Sequence, residues 1–205
     1  MTVLSDENKA ILKNELRSYL ENDDIKGAVD KLADLIIDSP TVGKYEQISS
    51  FLYELGLPLL ENMGDTIPDY FFAGTNIESI EIPSNISYIG DGAFTYCTNL
   101  SDVTFNEGLQ VIQDSAFEGC KELCEILLPA SLKEINPCAF EESGVDWVEV
   151  QSDAVISEFA FDAVYGHDVT FFIPKDLYVE GSNIRTSIDK LIETVVGCSI
   201  IVKLK

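Results

Sequence analysis

The side chains that most often carry out catalysis are sparse in this 205-residue sequence. His167 is the single histidine, and it lies in a Tyr-Gly-His-Asp motif typical of a turn. Nucleophilic catalysis pairs a serine or cysteine with a nearby base, yet the sequence contains no Gly-x-Ser-x-Gly elbow, phosphate-binding loop or dinucleotide-binding glycine motif. We therefore interpret His167 as an exposed turn residue and expect a non-enzymatic protein with no catalytic residue and no cofactor.

The cysteines and carboxylates do not follow a recognisable metal-binding pattern. Zinc sites use cysteine and histidine ligands at short spacing, and calcium loops have their own aspartate and glycine signatures. Neighbouring carboxylates such as Glu141 and Glu142 are expected anywhere in an acidic chain, so we expect no metal site. The odd number of cysteines favours buried free thiols over a disulfide framework. The five are Cys97, Cys120, Cys124, Cys138 and Cys198.

The charge balance excludes several classes of partner. The chain has 36 acidic and 13 basic residues, for a net charge of −23. Such a surface opposes direct binding to nucleic acid or to anionic lipid, both of which need basic faces. Residues 67–174 contain 19 acidic residues against Lys121 and Lys133. This acidic segment favours a protein partner with a basic surface, and simple solubility explains the charge equally well.

The chain has no stretch typical of a membrane anchor or a secretory leader. Its first residues lack the basic start and apolar core of a signal peptide, and no stretch approaches 18 consecutive apolar residues. We therefore expect a cytoplasmic protein that does not enter a membrane.

Residues 1–62 show the periodicity of amphipathic helices. Apolar side chains recur at helical spacing in three segments, and polar or glycine- and proline-containing breaks separate them at residues 22–24 and 39–43. Gly56 and Pro58 end the third segment. The pattern predicts three helices that form either an N-terminal cap or a small independent domain.

From residue 67 the sequence becomes a repeat. An element that begins with isoleucine and ends with phenylalanine occurs five times, and its phenylalanines recur at intervals of 22, 23, 23 and 21 residues. An apolar triplet spaced i, i+3, i+5 follows four of the elements and predicts a strand with alternating inward and outward side chains. Repeats of this length are typical of solenoids. The five elements are residues 67–72, 89–94, 112–117, 135–140 and 156–161.

The segment after the repeats predicts a closing cap. Residues 183–195 have the pattern of a helix, and residues 198–204 that of a strand. Because the last unit of a solenoid would otherwise expose its core and an unpaired strand edge, we expect this tail to cover that end.

The repeat resembles that of the bacterial BspA-like leucine-rich repeats, whose units read roughly Ile-x-x-x-Ala-Phe-x-x-Cys-x-x-Leu-x-x-Ile-x-Ile-Pro. Residues 89–105 fit this pattern closely, and the resemblance covers residues 67–174. It implies a curved solenoid and a role in adhesion or protein binding. The fifth unit departs from the pattern, and we predict its strand at residues 169–173, after a turn at Gly166.

Together these patterns predict an α+β repeat solenoid. A short leucine-rich-repeat array of about five units occupies residues 63–174, with the three-helix cap or helical domain at residues 1–62 and the helix-strand cap at residues 175–205. Cys97 and Cys120 occupy equivalent positions on adjacent units, about 5 Å apart along the stack. A disulfide between them is geometrically conceivable, but a cytoplasmic protein favours reduced thiols.

The residues on either side of the central strand residue are predicted to form two columns on the concave face. The first column contains Ser79, Asp102, Glu125 and Trp147, continued by Thr170. The second contains Glu81, Thr104, Leu127 and Glu149, continued by Phe172. Large apolar groups at solvent-facing positions are typical of binding hot spots. The predicted partner-binding residues are Trp147, Leu127 and Phe172 as anchors, with Glu125, Glu149, Asp102 and Glu81 providing electrostatic selection.

Three alternatives concern this surface. The C-terminal tail could fold over the apolar side chains and bury them as part of the cap. The acidic solenoid could also act as a nucleic-acid mimic that inhibits a nucleic-acid enzyme, as a viral counter-defence protein would. An adhesin or carbohydrate-binding role follows only from the family resemblance and from stacking on Trp147.

Overall fold

The computed structural model describes residues 14, 18, 60, 64–162, 164, 168–196 and 198–205. The three predicted N-terminal helices fall almost entirely outside this part of the chain, as do Gly166 and His167. Asn14 and Ser18 are helical. From Gly64 onward the chain forms a repeat β-solenoid of about four turns, which the helix α1 (Asn183–Thr194) follows.

Each turn contributes one short and one longer strand. The short strands pair in parallel and in chain order to form a five-stranded sheet. Each contains the isoleucine that opens the repeated element, and that isoleucine is buried because it points into the stack. The strands are β1 (Thr66–Ile67), β3 (Tyr88–Ile89), β5 (Val111–Ile112), β7 (Glu134–Ile135) and β9 (Val155–Ile156).

The longer strands begin at or just before the middle residue of each apolar triplet. They form a two-stranded sheet, β2 with β4, and a four-stranded sheet in the order β11-β10-β8-β6; all pairs are parallel. The predicted strand at residues 169–173 is confirmed as β10. The strands are β2 (Ser79–Ile82), β4 (Asp102–Phe105), β6 (Glu125–Leu128), β8 (Trp147–Val150), β10 (Val169–Ile173) and β11 (Ile200–Leu204).

A stack of phenylalanine rings runs through the core. Successive rings lie 4.9–5.3 Å apart between centroids and within 4–10° of parallel. The backbone repeats with the same spacing, because the amides of the stacked phenylalanines donate to carbonyls one turn further on, as Phe94 does to Ala116 at 2.8 Å. The stack comprises Phe72, Phe94, Phe117, Phe140 and Phe161.

Three residues after each of the first four stacked phenylalanines, a column of small side chains fills the core. The thiol of Cys97 donates to the carbonyl of Phe72 at 2.9 Å, and that of Cys120 donates to the carbonyl of Phe94 at 3.1 Å. Ser143 occupies the same column and donates to the carbonyl of Phe140 at 2.7 Å. The column therefore selects small groups that can satisfy a buried carbonyl.

The C-terminal segment closes the last turn, as the sequence predicted. Ser187 on α1 accepts a 2.9 Å hydrogen bond from the amide of Ile156, at the open edge of β9. Asp153 accepts at 2.9 Å from the amide of Ile184 at the start of the helix. Ile184, Ile188 and Leu191 are buried against the solenoid core.

Candidate interaction surface

The outward-pointing residues of the six longer strands, which form two neighbouring sheets, are here together called the sheet face. Register within the sheets places Trp147 between Glu125 and Thr170, and Glu149 between Leu127 and Phe172. In the other sheet Ser79 pairs with Asp102, and Glu81 pairs with Thr104. These are the neighbours that the sequence predicted, because side chains at alternate positions of paired strands point to one side.

An aromatic pair lies at the centre of the C-terminal half of this face. The rings of Trp147 and Phe172 are stacked, with centroids 4.0 Å apart and planes 21° from parallel. Trp147 is 41% exposed, and Leu127, in the second column on the preceding strand, is 47% exposed. Phe172 is half-buried. Although the two rings partly cover each other, the pair offers a flat apolar surface to solvent at a position that faces away from the core.

Strand β11 extends the sheet face instead of covering it. Its backbone pairs edge to edge with β10, in a register that sets Ile201 beside Thr170 and Lys203 beside Phe172. Consequently the tail does not bury Trp147, which was the alternative that the sequence allowed. Ile201 adds a further apolar group, 38% exposed, to the surface.

Two lysines at the C-terminal end surround the half-buried aromatic ring. The Nζ atoms of Lys203 and Lys205 lie 5.2 and 5.4 Å from the ring centroid of Phe172. Lys205 also donates to Glu149 Oε2 at 2.5 Å. Exposed ion pairs contribute little stability, so we interpret this contact mainly as one that orients both side chains. A cation near an aromatic ring adds a weak attraction of its own.

The opposite half of the sheet face is acidic. Glu81, Asp102 and Glu125 are exposed and follow one another on β2, β4 and β6. Glu81 accepts a 2.8 Å hydrogen bond from the side-chain amide of Asn106. The face therefore combines carboxylates, an apolar centre and lysines.

Seven residues of this surface were candidates from the sequence, and three others were missed. The structure brings Trp147, Phe172 and Glu149 into one cluster with Leu127 beside it, and sets the other three carboxylates along the same face. The omitted residues are Ile201, Lys203 and Lys205. The alternation of side chains within residues 198–205 predicted a strand. It did not indicate which other strand this one would pair with.

The other residues considered for chemistry do not assemble into a site in this part of the chain. Among the described residues no group of three or more histidine, cysteine or acidic side chains is placed to hold a metal ion. Cys97 and Cys120 are buried free thiols, as predicted. The prediction of burial is wrong for Cys124, which is exposed, and for Cys138 and Cys198, which are half-buried, because these three lie outside the core column that Cys97 and Cys120 share. Burial raises the pKa of Cys124 and of Cys198, with smaller contributions from nearby carboxylates.

In the described part of the chain, no helix has the length and apolar character needed to cross a membrane.

Stacked parallel strands, a phenylalanine ladder and a period of 21 to 23 residues define a leucine-rich-repeat solenoid. The chain belongs to the family described as the BspA type leucine rich repeat region, whose model matches residues 65–183 in six copies. The match confirms the resemblance found in the sequence and gives one copy more than the five phenylalanine-based units. No curated protein matches the chain.

Solved structures of other leucine-rich-repeat proteins are similar to part of the chain. A leucine-rich repeat protein from Bacteroides capillosus is 37% identical, with a TM-score of 0.40, over 42% of this chain and 62% of that one. The pneumococcal vaccine antigen PcpA is 19% identical, with a TM-score of 0.40, over 69% of this chain and 42% of that one. A leucine-rich repeat protein from Bacteroides ovatus is 18% identical, with a TM-score of 0.37, over 69% and 48% respectively. The matched region thus spans less than two thirds of the length of each of these proteins.

Proposed function

We propose that this protein is a non-enzymatic protein-protein interaction module that binds its partner on the sheet face. The leucine-rich-repeat fold is consistent with a protein-interaction or adhesion-like repeat module. Our proposal is more specific, because it assigns the contact to the longer strands and to named side chains on them.

The observation that carries the proposal is the stacked pair of Trp147 and Phe172. An outward-facing strand position normally carries a polar side chain, since exposing an aromatic ring to water has a free-energy cost. Here two rings and the side chains of Leu127 and Ile201 occupy such positions together. Tryptophan is also among the residues most enriched at the energetic centres of protein interfaces.

The carboxylates on the same face define the partner's charge. Glu125 lies beside Trp147, and Asp102 and Glu81 follow on β4 and β2, on a solenoid with strong net negative charge. A basic surface on the partner would therefore be attracted at long range and selected at contact, whereas nucleic acid and anionic lipid would be repelled.

Affinity capture from the native host's lysate tests this proposal, with wild type, Trp147→Ala and Phe159→Ala compared in parallel. Phe159 is a suitable control because its side chain is 43% exposed, a fraction similar to that of Trp147. It lies in a turn element outside the sheet face. We expect Trp147→Ala to lose a basic partner that Phe159→Ala retains. Thermal unfolding followed by circular dichroism checks that both variants stay folded.

Stepwise elution with salt separates the proposal from the nucleic-acid mimic. A mimic binds through charge alone, so its partner would be retained by Trp147→Ala and released steeply as salt rises. An interface anchored on an aromatic side chain would lose its partner in Trp147→Ala, and in wild type it would release the partner only gradually as salt rises. A partner captured equally by all three proteins and released by moderate salt would contradict the proposed function.

A further inference from the structure

The charges on the sheet face are ordered across the strands. Carboxylates lie on one side of the Trp147–Phe172 pair, on β2, β4 and β6, and the two C-terminal lysines approach from the other side, with their Nζ atoms 5.2 and 5.4 Å from the ring centroid of Phe172. Glu149 stands between them, and its carboxylate is already paired with Lys205. A line drawn across the strands therefore passes from negative charge, over apolar rings, to positive charge.

The spacing of the strands sets the length over which this order occurs. Neighbouring strands in a sheet lie about 4.8 Å apart, and the lysine Nζ atoms lie beside Phe172 on β10, so two intervals separate Glu125 on β6 from the positive charges by about 10 Å. An extended peptide rises about 3.4 Å per residue and spans that distance in about three residues. A ligand that satisfies both ends must carry charges of opposite sign with an apolar group between them.

We propose that the sheet face binds a linear peptide segment of the partner in which an apolar or aromatic residue lies between a basic residue and an acidic residue. The basic residue lies opposite Asp102 and Glu125, the apolar residue contacts Trp147 and Phe172, and the acidic residue lies opposite the two lysines. This inference rests on the proposed function, and adds the identity, order and spacing of the partner's recognised residues.

A displayed library of random peptides provides a direct test. The full-length wild-type chain is used for selection, and Trp147→Ala is used to remove peptides that bind elsewhere. We expect enriched peptides to place a basic and an acidic residue about three positions apart, on opposite sides of an apolar residue, in either chain direction.

A double-mutant cycle then tests the contact with the lysines. In Lys203→Gln/Lys205→Gln, an enriched peptide should bind about three- to tenfold more weakly, and replacing its acidic residue by glutamine should have no further effect. Lys175→Gln/Lys190→Gln removes the same charge outside the sheet face and should leave the affinity unchanged. In Lys203→Glu/Lys205→Glu the selection should favour peptides that are basic at both ends.

The outcomes distinguish this inference from the proposed function. Enrichment of apolar peptides with no charge order, still lost in Trp147→Ala, would overturn the ordered-charge inference and leave the proposed function intact. In a parallel selection without the Trp147→Ala counter-selection, charge-ordered peptides that bind Trp147→Ala as tightly as wild type would contradict both. If no peptide is enriched over the counter-selection, the linear-segment inference is wrong, and lysate capture alone decides the proposed function.

Discussion

At the scale of single residues, the half-buried thiol of Cys138 shows how the acidic turns change the chemistry of one side chain. Burial is the largest cause of its raised pKa, followed by a hydrogen bond to Glu141 and the negative charges of Glu141, Glu118 and Asp114. Together they raise the pKa of Cys138 to about 12. Because the thiolate is the reactive form, partial exposure does not make this cysteine a reactive one.

We expect alkylation of Cys138 at pH 8 to proceed at about one ten-thousandth of its limiting rate and to accelerate about tenfold per pH unit. Glu141→Gln should lower the pKa of Cys138 and speed its alkylation, since it removes an acceptor and a negative charge. Mass spectrometry of the digested protein measures the rate at each cysteine, with Glu158→Gln as a control. Equal rates in wild type and Glu141→Gln would show that the carboxylate does not influence the thiol.

Sequence reasoning succeeded for residues whose environment the repeat determines. All five cysteines were predicted to be buried free thiols, and Cys97 and Cys120, which lie in the column of small core residues, are buried. The prediction was wrong for Cys124, which lies outside that column and is exposed. The stacking of Trp147 on Phe172 was also not predictable, since ring orientation depends on side-chain torsions that spacing does not specify.

At the scale of elements, the turn between β4 and β5 depends on a single glycine. Gly108 has a φ of +120°, and a Cβ placed there would lie 2.3 Å from the carbonyl oxygen of Ser84 in the preceding turn. Its amide donates to Ser131 Oγ at 2.9 Å, in the following turn. The residue thus lies between two neighbouring turns where no side chain fits.

Gly108→Ala should therefore lower the free energy of unfolding by about 3 kcal/mol, from left-handed strain together with a clash against backbone. Gly181→Ala is the matched control, because Gly181 has a φ of +83° but a Cβ added there would meet no atom within 4 Å. Gly181→Ala should lower the free energy of unfolding by about 1 kcal/mol, from backbone strain alone. Urea unfolding curves measure both values, and equal costs would exclude the clash as the cause.

The cap helix is held to the last turn by a buried hydrogen bond. Replacing Ser187 with alanine would leave the amide of Ile156 without its 2.9 Å acceptor, at a position that solvent does not reach. We expect Ser187→Ala to cost about 1–3 kcal/mol and to increase hydrogen exchange in β9. Thr186→Ala, on the exposed side of the same helix, should cost less than about 0.5 kcal/mol. If Ser187→Ala and Thr186→Ala lower the free energy of unfolding by the same amount, the hydrogen bond does not stabilise the cap.

The existence of the cap was predictable, but the path of its strand was not. Helical periodicity located α1 to within one residue at its end, and apolar alternation located β11 to within two residues at its start. Whether such a strand crosses the sheet face or pairs along the edge is decided by backbone hydrogen bonds. An unpaired edge of β10 favours pairing along the edge. Because β11 pairs in this way, Lys203 and Lys205 lie on the candidate surface.

At the scale of the whole molecule, negative charge is concentrated in the solenoid. Residues 67–174 have 19 acidic residues and two basic ones, whereas residues 175–205 have four acidic and five basic ones. Because successive turns of a solenoid hold equivalent residues close together, carboxylates in one turn repel those in the next. This distribution was fully predictable from sequence, since charge depends on composition and on repeat position.

Salt should consequently have opposite effects on folding and on binding. Raising NaCl from about 0.01 to about 0.15 M shortens the screening length from about 30 to about 8 Å, which weakens repulsion between turns. We expect a gain in stability of about 1 kcal/mol, or about 2–4 °C in Tm, by calorimetry. KCl at the same ionic strength should act identically, and a larger rise with MgCl2 would indicate specific cation binding. The same increase in NaCl concentration should weaken association with a basic partner, because screening reduces the attraction between the two proteins. A Tm that falls or stays constant as NaCl rises would contradict the view that charge repulsion opposes folding of the acidic solenoid.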